Sequence, residues 1–485
     1  MRWDRRRTDP TIPLGTYRGT ILTRRLALSG SDTQSHIHVI GKSGSGKSRW
    51  LAGFCRNLLR AGFSFTLIDP HGDLSRLVLQ QLVADGYFDH PGAYDRLTYL
   101  DIPGAAKQQR SLRFNVLDQP YDTHTTTRQI LEAVRRAFPE LDRNAGNAAP
   151  AFEQIVTAGV HTLVENHLPF SELRNVLLRK DWRDRLLAQV PDELIRSFFW
   201  EEYDQWEPRE RMTLQGSTLR RLFLLLYSPL LRNALSAPDN LLEYGAILAE
   251  NRSLIVNLAV QDADTRRLLG CLLTVFAEQG AKARADVPAH VRRGTHFIVL
   301  DEFQDFVTQS KDTLTAMLSE TRKFGVFEVL SHQTMSQIPE RMAGALQNVE
   351  VEITFRTGRD DAEQQARVVG SVDPLAVKHE VTDEAAGDRT HPAFYSLQEQ
   401  WEGWTKQIVG LNKRSAFVKH PDGRVIKVQS LPMPDPVVDP ARLVTVEQYY
   451  LERCFQVAPA APRETAWEWP PRAAVSRTRR RSGTD

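Results

Sequence analysis

The residues with the clearest chemical spacing stand at 41–48, where Gly41-Lys42-Ser43-Gly44-Ser45-Gly46-Lys47-Ser48 fits the GxxxxGK[ST] pattern of a phosphate-binding loop. In such a loop, backbone N–H groups wrap phosphate oxygens and the N-terminus of the following helix faces their charge. The glycines let the backbone close around atoms that a Cβ would obstruct. Gly41, Ser43, Gly44, Ser45, Gly46, Lys47 and Ser48 are therefore the candidate nucleotide contacts. Lys47 is expected to reach the β- and γ-phosphates of ATP, and Ser48 to ligate Mg2+.

Phosphoryl transfer also needs a carboxylate to hold magnesium and a group to orient the attacking water. Phe297–Leu300 is an apolar run of the kind found in buried parallel strands, and it ends in Asp301-Glu302. Asp301 would hold the metal through its water shell, and Glu302 would polarise the water. A second strand pattern, Val326–Leu330, ends in Ser331-His332-Gln333. Gln333 is the candidate γ-phosphate sensor if this strand lies beside that of Asp301.

Those residues must be carried by a sheet with helices. His36–Ile40 reads as a strand before the loop, Ser48–Leu59 as a helix after it, and Phe63–Ile68 as a buried strand ending in Asp69-Pro70-His71-Gly72-Asp73. Strand, helix and strand form a βαβ unit, and the second strand is expected beside the first. Asp73 is a candidate helix cap. From His124 to Ser236 apolar residues recur at helical spacing with no strand-like run, so this stretch reads as helices inserted within one α/β sheet, with Phe198-Phe199-Trp200 and Leu222–Tyr227 as packing positions. Strand patterns resume at Leu254–Leu258 and continue through Val351–Phe355. Hairpins are expected over Thr16–Leu26 and around Pro421-Asp422-Gly423, the latter at a sheet edge.

The 485 residues, 41 % hydrophobic and 25 % charged, can bury more than one core. Net charge is only +2, so contact with nucleic acid would rest on local clusters such as Arg220-Arg221, Arg292-Arg293 and the arginines at 477 and 479–481. Three scattered cysteines suit core packing in a reducing compartment. No apolar run is long enough for a signal peptide or a membrane span, which predicts a cytoplasmic location.

The set GKSGSGKS, IDPHGDL (68–74), FNVL (114–117), VLDEFQDF (299–306), ETRKFG (320–325), SHQ (331–333) and FRTGRDDAE (355–363) resembles the FtsK–HerA superfamily, in particular HerA-like ATPases and the ATPase domains of conjugative coupling proteins. The resemblance spans about 12–375 and implies a ring, usually a hexamer, that hydrolyses ATP at subunit interfaces and moves DNA through its channel. It also implies that Arg322 acts as an arginine finger in trans, with Arg356 and Arg359 as competitors. Two departures stand out: coupling proteins begin with transmembrane helices, and HerA proteins with a β-barrel for which about 35 residues are too few. Barrel-mediated recruitment of a nuclease is accordingly in doubt.

The resulting expectation is an α/β fold: a RecA-like P-loop core with a mainly parallel sheet, an inserted all-α domain, a C-terminal β-hairpin extension and a disordered tail. The divisions fall at 1–35 for the N-terminal extended segment, 36–123 and 237–375 for the core, 124–236 for the helical insertion, 376–456 for the extension and 457–485 for the basic tail. The expected function is an ATP-driven, ring-forming DNA motor. The alternatives are a polypeptide-translocating ATPase and an ATPase subunit gating a partner nuclease or effector.

Overall fold

Every residue of the strands at Ile37–Ile40, Ser64–Asp69, His296–Asp301, Val326–His332 and Val351–Phe355 is buried, as expected of parallel strands covered by helices on both faces. The computed structural model describes residues 10–138, 148–287, 294–306, 311–338, 340–383 and 389–457. Its strands in chain order are β1 (Thr11–Arg18), β2 (Thr23–Ser29), β3 (Ile37–Ile40), β4 (Ser64–Asp69), β5 (Leu97–Asp101), β6 (Arg110–Leu112), β7 (Ser253–Asn257) and β8 (His296–Asp301). They continue with β9 (Val326–His332), β10 (Val351–Phe355), β11 (Val377–Asp383), β12 (Arg389–Phe394), β13 (Ser415–Lys419), β14 (Val425–Gln429) and β15 (Phe455–Val457).

Eleven strands form one sheet in the order β2-β1-β14-β13-β10-β3-β9-β8-β4-β7-β5. From β10 to β5 all neighbours run parallel, and β13, β14, β1 and β2 extend the sheet antiparallel. The β13–β14 hairpin therefore does not end the sheet, because β1 pairs with β14 and β2 lies outside it. The position expected for β4 needs correction: β9 and β8 separate it from β3. Helix α1 (Lys47–Ala61) joins the two, and its 15 residues, about 22 Å long, span three strand spacings of about 4.8 Å each. A right-handed crossover fixes hand and direction without requiring adjacency.

Helix α1 buries Trp50, Leu51, Phe54, Cys55 and Leu58 against the sheet, and the Trp50 indole donates to the Leu14 carbonyl (2.8 Å), fastening the N-terminal hairpin. Between β6 and β7 the described residues form helices and turns, with Phe198 and Phe199 buried and Trp200 partly exposed. The Thr123–Ala137 helix is tied to Ala263–Ala283 by a buried two-bond ion pair, Arg136 with Glu278 (2.5 and 2.8 Å). All three cysteines are buried. Among the described residues no helix is long and apolar enough to cross a membrane. Arg220 is exposed, whereas Arg292, Arg293 and the segment 458–485 with its arginines lie outside the described residues.

Candidate active site

The loop leaving β3 is held from both sides: Gly41 N–H donates to the His332 carbonyl (3.4 Å) and Lys42 N–H to the Arg356 carbonyl (3.0 Å). A Cβ on Gly41 would lie 2.6 Å from the Phe355 Cβ, so only glycine fits there. Gly46, the N-cap of α1, has φ 109°, and a Cβ on it would lie 3.0 Å from the Arg414 Cα. Arg414 in turn donates its N–H to the Ser45 carbonyl (2.8 Å) and adopts a left-handed backbone, φ 67°. The Ser45 hydroxyl is buried with no partner among the protein atoms. A loop packed this tightly, with an orphaned hydroxyl and a helix N-terminus behind it, fits the phosphates of a nucleotide.

Lys47 Nζ is buried and donates to Asp301 Oδ1 (3.1 Å) and Glu302 Oε1 (3.0 Å). Asp301, at the end of β8, also accepts from the Ser331 hydroxyl on neighbouring β9 (2.8 Å). Glu302 has a left-handed backbone, φ 51°, a conformation that costs about 1–3 kcal/mol and is found where a side chain must be aimed. Its other oxygen accepts from the Gln304 amide (3.0 Å), and the Gln333 side chain lies near enough to favour its charged form. Burial pushes the Glu302 carboxyl up, but Lys47, Gln304 and Gln333 together hold it below its ordinary value, so it stays ionised and able to act as a base. Ser48 is exposed in the first turn of α1, where its hydroxyl is free to join Asp301 around a divalent cation.

The other expected positions fall elsewhere. Arg322 pairs with Glu350 just before β10, at the amino end of the sheet, away from the P-loop at the carboxyl ends. Arg356 meets the P-loop of the same chain through its backbone, and Arg359 is exposed and paired with Glu363 and Glu402. Asp73 does not cap the helix that follows β4: it is the first residue of α2 (Asp73–Ala84), and the buried Asp69 accepts from Ser75 N–H (2.7 Å) and His71 N–H (2.9 Å) instead. The acid that ends the strand, three positions before the N-cap Gly72, reaches free N–H groups that the helix's own first residue does not. Arg414 and Ser331 were missed. A serine just before a sensor strand's end offers a weak signal for the second, whereas no pattern announces the first.

The profile of the family described as Helicase HerA, central domain, matches residues 24–273, more than half of the chain. The chain belongs to that family. No curated protein matches this HerA-family sequence. Among solved structures it is similar to the bacterial conjugative coupling protein TrwBdeltaN70, with 17 % identity and a TM-score of 0.58 over 84 % of this chain and 88 % of that one. The plasmid coupling protein TrwB in complex with ADP and Mg2+ shows 16 % identity and a TM-score of 0.58, covering 85 % of this chain and 89 % of that one. VirB4 of Thermoanaerobacter pseudethanolicus shows 12 % identity and a TM-score of 0.53 over 87 % and 96 %. At these identities the likeness is one of fold, and it agrees with the mainly parallel α/β sheet. Family, fold and site together make this HerA relative a P-loop NTPase.

Proposed function

We propose that the protein is an ATP-hydrolysing motor, assembled as a ring, that translocates or remodels DNA. The observation that carries the chemistry is the buried contact of Lys47 with Asp301 and Glu302. Lys47 and the loop N–H groups bind the phosphates, and Ser48 with Asp301 holds Mg2+, which supplies charge neutralisation when bound. Glu302 orients and deprotonates water, and Gln333 reads whether the γ-phosphate is present. The TrwB complex with ADP and Mg2+ supports this choice of ligands.

DNA as the substrate is supported by the helicase description of the family and by the likeness to coupling proteins. A ring is supported by the position of Arg322, which cannot serve the site of its own subunit and would have to complete a neighbour's across a heterologous interface. The test is the ATPase rate of size-resolved assemblies with and without duplex or single-stranded DNA. Stimulation confined to the ring fraction is expected. A rate indifferent to both nucleic acids in every fraction refutes the DNA motor while leaving the ATPase.

A further inference from the structure

Three neighbouring strands carry a chain of buried polar groups below the sensor. His38 on β3 stands in register with Glu352 on β10, and its Nδ1 lies 2.5 Å from Glu352 Oε2. Its Nε2 lies 2.7 Å from Nε2 of His332, the last residue of β9, whose Nδ1 lies 3.0 Å from the Thr334 carbonyl. All three side chains are buried.

Only one placement of protons at the His332 end satisfies these contacts. A carbonyl only accepts, so His332 Nδ1 carries hydrogen. Burial, with His38 and Lys47 nearby, holds the His332 imidazole well below its ordinary pKa, so the ring is neutral and its Nε2 offers a lone pair. His38 Nε2 must then donate, and one further proton lies between His38 Nδ1 and Glu352. The chain ends on both sides of the catalytic contact: His332 touches the backbone beyond Gln333, and the Phe303 ring beside Glu302 packs edge-on against it, centroids 5.6 Å apart.

We propose that His332, held by His38 and Glu352, is the positioning residue that sets Gln333 against Glu302. This rests on the sensor reading of Gln333. His332 touches no reacting atom; it acts by fixing the turn that begins at Thr334 and by tying the sensor strand to the strand that feeds the P-loop.

The test uses the full-length assembled protein, steady-state ATP hydrolysis, and thermal unfolding as the folding control. His332→Phe keeps the aromatic packing but loses both hydrogen bonds, and should lower kcat about tenfold with KM for ATP within about twofold. Combined with Gln333→Ala it should lower kcat no further than Gln333→Ala alone, because both remove one function. Glu352→Gln, whose amide can still donate to His38 Nδ1, should keep kcat within about threefold, whereas Glu352→Leu should fall like His332→Phe. Losses that multiply in the double variant, or a normal kcat for His332→Phe where Gln333→Ala is impaired, overturn this inference alone. Normal turnover in Gln333→Ala overturns the sensor reading and this inference together. If His332→Phe does not fold, equal kcat for the two Glu352 variants overturns the inference.

Discussion

Replacing Glu302 by glutamine should separate binding of ATP from its hydrolysis, and the structure sets both magnitudes. Lys47 is shared between two buried carboxylates, at 3.1 Å and 3.0 Å, so it must give up these bonds to reach a phosphate. A hydrogen bond to a charged group contributes about 1.5–3 kcal/mol, and about 1.4 kcal/mol is tenfold in an equilibrium. Glu302→Gln weakens one of the two competing bonds and removes a negative charge beside the phosphates, while Asp301 still holds the lysine. ATP should therefore bind at least as tightly as to the wild type, up to about tenfold tighter. Turnover should fall by about 10²–10⁴, the usual contribution of a positioned base. Calorimetric titration with ATP and Mg2+ gives the first quantity, and phosphate release gives the second. Weaker ATP binding by a folded Glu302→Gln protein would refute the competition argument, and turnover above a tenth of wild type would refute the role of Glu302 as base.

Lys47→Ala should abolish turnover, and it should also lower the thermal midpoint without nucleotide, because breaking a buried ion pair costs about 3–5 kcal/mol; phosphate release and calorimetry check the two. Arg322→Ala should cut turnover about 10³-fold or more while leaving ATP affinity within a fewfold, and mixing it with Lys47→Ala subunits should restore partial activity. Co-assembly without recovery, alongside recovery by Arg359→Ala in the same mixture, would move the finger to Arg359. Burial lowers the pKa of His36 to about 4 and of His296 to about 3, and nearby arginines add to this. Each neutral histidine therefore favours the folded state fully above about pH 6.5, and stability should fall by about 1.4 kcal/mol per pH unit per histidine as pH drops toward those values. Urea midpoints between pH 7 and 4 should show this slope, and His296→Asn should reduce it.

The P-loop and the strand ending in Asp301-Glu302 were readable because their chemistry is local. A phosphate cradle needs consecutive residues, and a buried parallel strand needs a short apolar run. The hairpin around Pro421-Asp422-Gly423 was readable for the same reason, since turn residues sit between alternating strands, and the N-terminal one was readable over its inner part, Thr16–Leu26, whereas its strands run from Thr11 to Ser29. Strand order was not local. Nothing in Phe63–Ile68 says that β8 and β9, more than two hundred residues later, come between it and β3. β5 was overlooked because its five residues carry two polar side chains, and Pro440–Cys454 because its amphipathic pattern follows a proline-rich stretch. Of the site, Lys47, Asp301, Glu302 and Gln333 do come together. The partners that fix them do not belong to any motif: Ser331 and the His38–His332 pair become meaningful only once β3, β9 and β8 are neighbours.

Arg414 closes against a loop that lies almost 370 positions earlier in the chain, and the hairpin that carries it also receives β1. A polypeptide emerging from the ribosome thus displays every recognisable nucleotide motif long before it owns a finished nucleotide pocket. Until β13 and β14 have been made, β10 lacks its outer neighbour, β1 lacks the strand that joins it to the sheet, and the backbone at Ser45 and Gly46 lacks its wall. The sheet can be zipped from β5 to β10 during synthesis, but its other flank waits for the last hairpin. The nucleotide pocket is accordingly finished only once the hairpin at Ser415–Gln429 has docked, however early the P-loop itself is made.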